Sequence, residues 1–404
     1  MNRWLPAVLT LSGCLDAPPA AIDDPGNSSL VLTGVVGRGD LNLDGRDDLV
    51  ITGVRRDDSG EQPVALVLFA SESGIESAVA GGAMVDLPFA PSDIAMTRRE
   101  DLTGLAVLLG PDGRLVVLDQ DLEMDDLTPT DAAVPIDRPF GHVATLETAP
   151  GQRLLLAHAG DLWATEQLQL ARPLADTQTY LVASGAAIDW LDGVDVGGAH
   201  VVNALTAAGD MQTRVFMSGD PPTLEPNLAT DTAPAALGSV LWRGTSHDFV
   251  YLVGVDLDTP RIFWHRTPVG AGEITSGFVL EEGYDLIDDL TFAVVGGGSP
   301  DLVVLGERGG APVVDMYGDP MENDAFDIGT PAAWLVPGFS APPIWLEAMD
   351  AVGDDSGDLE IIAYDQAGHI ACADRGDPGM LTSCGSADLS DLLSGSSTSD
   401  RPDW

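Results

Sequence analysis

The sequence predicts an all-β protein, a seven-bladed β-propeller built from degenerate repeats of about 52 residues. A pair of apolar runs around a short polar turn recurs seven times along the chain, and each pair reads as a β-hairpin. The recurrence is regular: Asp48 and Asp358, which precede the first run of the first and last pairs, lie six steps apart, a spacing that suits four-stranded blades. Helical periodicity is essentially absent. One such unit cannot bury both of its faces, whereas units stacked around a channel can. An irregular β-solenoid or two sandwiches is the alternative that the rhythm leaves open.

The first 28 residues stand outside that rhythm. Arg3 supplies a positive charge, Trp4 to Leu11 are mostly apolar, and small residues precede Cys14, the pattern of a targeting segment. Leu11-Ser12-Gly13-Cys14 resembles the bacterial lipobox. That resemblance implies a lipoprotein signal peptide over 1–13, cleaved once the Cys14 thiol has received a diacylglycerol group. Acyl chains contribute about 0.8 kcal/mol per buried methylene, so several on Cys14 would hold the chain at a membrane. A simple secretory signal with a chance cysteine is the alternative. Residues 14–28, rich in Pro, Asp, Gly and Ser, read as the lipidated cysteine and a flexible tether. The expected location is therefore the bacterial cell envelope, with the membrane as a partner through the lipid. No later segment approaches the roughly 18 apolar residues of a spanning helix.

The body is expected over 29–404, with a tail from about 386. Its first repeat, Leu30 to Phe69, places apolar runs around an acidic loop, and worn copies follow at 102–119, 149–165, 197–216, 245–265, 298–318 and 356–374. A further strand precedes most hairpins, at Asp93 to Thr97, His142 to Glu147, Ser239 to Arg243, Thr291 to Val295 and Ile344 to Met349. An outermost strand is hinted at by Met84 to Leu87. With Cys14 assigned to lipid, Cys372 and Cys384 remain, and a disulfide is the simplest account of two cysteines in an exported chain. Two free buried thiols are the alternative.

The first loop, Gly39 to Leu49, carries Asp40, Asn42, Asp44, Gly45 and Asp48. Alternating oxygen donors around a tight glycine turn suit a hard cation such as Ca²⁺, with the Arg46 carbonyl at the seventh position. It is not an EF-hand, because position twelve is Ile51 and a strand follows. Strand, Asp-x-Asn-x-Asp-Gly-x-x-Asp-Leu, strand resembles the FG-GAP and VCBS repeats, including the calcium-bearing blades of integrin α-subunits. The resemblance implies side-chain ligands at Asp40, Asn42, Asp44 and Asp48 and a main-chain ligand at Arg46. The seventh repeat keeps Asp350, Asp354, Ser356 and Asp358, but has Val352 at the third position and Asp355 where Gly belongs, a weaker site. Repeats two to six have lost the pattern. The resemblance further implies that such loops join the first and second strands of a blade, that the Ca²⁺ is structural, and that ligands meet the opposite face.

Charge narrows the function classes. Sixty-four acidic residues against 18 basic ones, all Arg, leave a net charge of −46, which repels phosphate backbones and excludes a nucleic-acid partner. The six histidines show no metal-ligand spacing. No nucleophile elbow, Walker loop or dinucleotide fingerprint occurs. With so many acids, carboxylate pairs arise by chance and name no catalytic residue. The body tryptophans, among them Trp163, Trp264 and Trp345, are expected to pack between blades. The expectation is a calcium-stabilised, lipid-anchored module that binds a protein or glycan without turnover. A propeller-based polysaccharide lyase or hydrolase, or a structural subunit of an envelope complex, are the alternatives.

Overall fold

The computed structural model describes residues 28–42, 44–71, 73–98, 104–121, 126–132, 140–148, 151–168, 174–195, 200–206, 211–217, 223–224, 228–230, 235–243, 248–256, 261–268, 275–279, 284–293, 295, 301–318, 332–334, 345–349, 360–375 and 381–394. Among the described residues the chain forms seven antiparallel sheets, each from one continuous stretch. The first holds β1 (Ser29–Gly39), β2 (Asp48–Asp57), β3 (Gly60–Leu68) and β4 (Ala83–Asp86). The second holds β5 (Asp93–Arg98), β6 (Gly104–Leu109), β7 (Leu115–Asp121) and β8 (Asp126–Ala132). The third holds β9 (His142–Thr148), β10 (Gly151–His158), β11 (Asp161–Thr165) and β12 (Thr179–Ser184). The fourth holds β13 (Ile188–Asp195), β14 (His200–Thr206) and β15 (Met211–Met217), edged by β16 (Thr223–Leu224) and β17 (Leu228–Thr230). The fifth holds β18 (Ala235–Arg243), β19 (Asp248–Asp256), β20 (Arg261–Pro268) and β21 (Thr275–Val279). The sixth holds β22 (Leu286–Ala293), β23 (Asp301–Arg308), β24 (Ala311–Tyr317) and β25 (Ala332–Trp334). The seventh holds β26 (Trp345–Met349), β27 (Glu360–Tyr364), β28 (His369–Arg375) and β29 (Leu381–Asp388).

The seven apolar pairs seen in the sequence are the second and third strands of these sheets. They read as continuous runs because both faces are covered: all of β27 and the first six residues of β23 are buried. The cores accordingly lie between sheets. Val50 and Val67 of the first sheet meet Ala106 and Leu108 of the second, and Val303 and Leu305 of the sixth meet Ile361 and Ala363 of the seventh. Trp163, Trp264 and Trp345 flank three of these clusters.

First strands of successive sheets touch in order, β1 with β5, β5 with β9, β9 with β13, β13 with β18, β18 with β22 and β22 with β26, and β26 returns to β1. The result is an all-β, propeller-like arrangement. At the closing junction β1 bulges between Leu32 and Val36. Gly34 sits there at φ 77° with the Trp345 indole against its α-carbon, where a side chain would meet both backbone strain and the ring.

Three features depart from the sequence expectation. A short helix, α1 (Ile75–Ala80), interrupts the connection between β3 and β4 and buries Ile75, Ala78 and Val79. Six residues are too few to show a helical period in sequence. The first hairpin is longer than its apolar core suggested, with paired strands running to Asp57 and from Gly60. The fold also continues past 386, through β29 and a 3-10 segment over Leu389–Ser394. Among the described residues no helix is long and apolar enough to cross a membrane.

Candidate functional site

The acidic loop joins β1 to β2, so its residues leave the sheet at Gly39 and re-enter at Asp48. Asp40 Oδ2 accepts from the Gly45 N–H at 3.0 Å, and Gly45 itself takes φ 90° to make the turn. Asn42 Oδ1 accepts from the Asp44 N–H at 3.1 Å, and Asp44 Oδ1 from the Arg46 N–H at 2.9 Å. The Asn42 amide donates to Asp44 Oδ2 at 3.1 Å. Three of the expected side chains are thus tied together on the exposed loop, and their oxygens are of the kind a hard cation takes.

Asp48 is placed differently. It is completely buried, with Oδ2 accepting from the N–H groups of Leu41 and Asn42 at 2.8 and 3.2 Å and Oδ1 from Ala70 N–H at 2.8 Å. Burial lifts its carboxyl to about 7, against the lowering effect of these three bonds, and the charge of Asp44 adds to the rise. Asp48 therefore stitches the loop to Ala70, two residues past the end of β3, and its acceptor capacity is largely committed to backbone. Among the described residues no three His, Cys, Asp or Glu side chains converge as a metal-ligand cluster. The weaker loop, Asp350, Asp354, Ser356 and Asp358, lies outside the described residues, as does Cys14.

A second set of acids lies on the innermost strands. Asp93 of β5 accepts from its neighbour Ile94 N–H at 2.9 Å through Oδ1 and from Val143 N–H of β9 at 3.0 Å through Oδ2. Asp289 of β22 repeats the arrangement at the junction just before closure, accepting from Leu290 N–H at 2.8 Å and from Leu346 N–H of β26 at 2.9 Å. Asp192 of β13 makes the first half of it with Gly193 N–H at 2.8 Å. An innermost strand has no hydrogen-bonding neighbour in its own sheet on the axial side, so its outward N–H groups need acceptors. The aspartates supply them across the junction. In the sequence these residues are lost among 64 acids. The available signal was local: in Ser-Asp-Ile-Ala and Asp-Asp-Leu-Thr the aspartate stands directly before an apolar residue of an innermost strand.

Near the axis burial pushes Asp289 up to about 7 and Asp288 up to about 6, with Glu347 adding to the first and Glu307 to the second. Burial raises Glu347 of β26 as well, opposed by the charge of Arg38. Arg38 reaches from the end of β1 to the Phe292 carbonyl of the sixth sheet at 3.5 Å and pairs with Asp47 at 3.5 Å. Away from the axis, buried Asp315 of β24 takes the Tyr284 hydroxyl and the Arg308 guanidinium, whose carbon lies 4.4 Å from the Tyr284 ring centre. Burial raises the Asp315 carboxyl, while Tyr284 and Arg308 oppose that rise. Tyr284 packs in an apolar cluster with Val253 and Ile262 of the fifth sheet, whereas Arg308 stays partly exposed. Cys372 of β28 and Cys384 of β29 are bonded, with α-carbons 5.2 Å apart, within the range usual for disulfides.

No family model matches the chain, and no curated protein does. Among solved structures the chain is similar to the crystal structure of BBS1N in complex with ARL6DN, in two metal soaks. The lead soak matches at 13% identity with a TM-score of 0.52, covering 87% of this chain and 94% of that one. The mercury soak matches at 12% identity with a TM-score of 0.54, covering 89% and 94%. The likeness spans almost the whole of both chains and concerns the fold.

Proposed function

We propose that the chain is a seven-bladed β-propeller, held at the bacterial envelope by lipid on Cys14, that binds a protein or glycan partner without turning it over. The observation that carries the non-enzymatic part is the use of the inner-strand acids: both oxygens of Asp93 and both of Asp289 accept backbone N–H groups. Carboxylates committed in this way are poorly placed to serve as a general acid or base. The similar structure contains BBS1N in complex with another protein, ARL6DN, which favours a protein among the two ligand classes. In this reading the first loop is a FG-GAP-like calcium loop. Asp40, Asn42, Asp44 and the Arg46 carbonyl would hold the ion, and Asp48 would act chiefly by fixing the loop. The ion would stiffen a connection and supply no chemistry.

The test is made on the full chain in detergent, using purified envelope proteins and polysaccharides of known composition as probes. Saturable binding with no product formed is the expected result. Turnover that disappears in Glu347→Gln and Arg38→Ala would replace this reading by the lyase or hydrolase. Recovery at fixed stoichiometry with other envelope proteins would replace it by a structural subunit. Incorporation of labelled palmitate, lost in Cys14→Ser, tests the anchor separately.

A further inference from the structure

The first and last sheets close the circle without exchanging a strand. All of β1–β4 comes from the amino-terminal end of the body, and all of β26–β29 from the carboxyl-terminal end. What joins them near the axis is the contact of β1 with β26, a hydrogen bond from Leu32 N–H to the Gln366 carbonyl at 2.9 Å, and one apolar cluster shared by both sheets. Farther out, the seam is crossed by α1, which packs on β29 and on the 3-10 segment that follows it. Gly385 of β29 lies so close to α1 that a β-carbon there would stand 3.1 Å from Ile75 Cγ2. Leu389 of the 3-10 segment is completely buried in the shared cluster, and Leu392 and Leu393 pack against it.

β29 and its 3-10 extension are therefore a strap over the seam, and two pins hold it. One is the Cys372–Cys384 disulfide, at the point where the β28–β29 register slips. The other is His369, whose Nδ1 lies 3.0 Å from Asp365 Oδ2 and whose Nε2 lies 3.5 Å from Asp388 Oδ2. The Leu389 N–H also donates to the Gly368 carbonyl at 2.8 Å. On the outer edge of its sheet, β29 has a strand neighbour on one side only, so the disulfide adds a covalent tie to its one ladder, with β28. The two cysteines are unequally buried: Cys372 completely, Cys384 only in part.

We propose that this strap is a redox-sensitive latch, shut over the seam by the Cys372–Cys384 disulfide and released by an external dithiol. A dithiol thiolate attacks Cys384 Sγ, forming a mixed disulfide. The Sγ–Sγ bond breaks, and its electron pair leaves on Cys372 Sγ, which takes a proton. The second thiol of the reagent then displaces Cys384 and closes the reagent's own disulfide. Two electrons and two protons pass to the protein, and the dithiol is oxidised. The strap then loses one of its pins while the other sheets keep their cores. The latch is independent of the proposed binding function, of the calcium loop and of the anchor.

The experiment is hydrogen exchange on the folded full chain, oxidised and after brief exposure to dithiothreitol, with alkylation of freed thiols followed in parallel. Exchange should rise at least tenfold in peptides covering 381–394 and 75–80 and stay unchanged in 151–165 of the third sheet. Cys384 should be alkylated before Cys372. As a second variant, Leu389→Ala with the disulfide intact should loosen the same peptides without reductant. Unchanged exchange at 381–394 after complete reduction would overturn the latch, and so would an equal rise across all sheets.

Discussion

The acids of the first loop and the acids of the innermost strands are the same residue type put to opposite uses. Asp40 and Asp44 lie in the loop between β1 and β2, with their oxygens organising an exposed turn. Asp93 and Asp289 lie at the inner edges, each tying one sheet to the next through a backbone N–H of the following inner strand. The difference lies in what surrounds the carboxylate. In water it is cheap to leave charged and free to meet a cation. Facing an uncapped strand edge, its value is as an acceptor for N–H groups that would otherwise be buried without a partner. Asp48 belongs in sequence to the first group and in structure to the second, since it is buried and holds three backbone N–H groups.

Asp48→Ala is therefore the largest challenge to the comparison. It strands the N–H groups of Leu41, Asn42 and Ala70, and should destabilise by about 3 kcal/mol in urea unfolding, with or without calcium. A loss seen only with calcium present would return Asp48 to the ligand group. The next effect belongs to the loop. Ca²⁺ at a hundredfold excess over its dissociation constant should stabilise by about 2.7 kcal/mol, reversed by chelator and not reproduced by Mg²⁺. Asp44→Ala should abolish that response and leave the calcium-free melting temperature nearly unchanged. No response in the parent chain would leave the loop as an acidic turn.

Asp93→Ala and Asp289→Ala each remove acceptors for two N–H groups, and should each cost about 2 kcal/mol. Because the two junctions lie apart in the ring, the double variant should be additive within about 0.5 kcal/mol. A separate effect is a slope with pH. The Asp289 carboxyl is raised from 3.8 to about 7 in the folded chain. Across that window the folded state keeps a proton that the unfolded state has already lost. Stability from this group is then greatest at the acid end, falls as pH rises from about 4 to about 7, and is level above. The melting temperature of Asp289→Asn should fall less steeply over this window than that of the parent, and equal slopes would remove the buried carboxylate from the account.

Much of the architecture was legible in the sequence because it rests on local pattern. Strands covered on both faces are largely apolar, so second and third strands such as β23 and β24 announce themselves as paired runs. The first loop was equally visible, since Asp40, Asn42, Asp44 and Gly45 act within one turn. Cys372 and Cys384 are the two cysteines that remain once Cys14 is assigned to lipid, and they are bonded. What only the tertiary structure decided depends on residues far apart in the chain. Asp93 meets Val143 from 50 positions away and Asp289 meets Leu346 from 57, so the local cue of an aspartate before an apolar residue names neither its partner nor the junction it ties. Asp48 turned inward because Ala70, 22 residues on, needed an acceptor. The six-residue α1 and the strap of β29 acquire their meaning only where the first and last sheets meet. Periodicity records which faces a strand buries, and it carries no record of which distant backbone group lies opposite a given side chain.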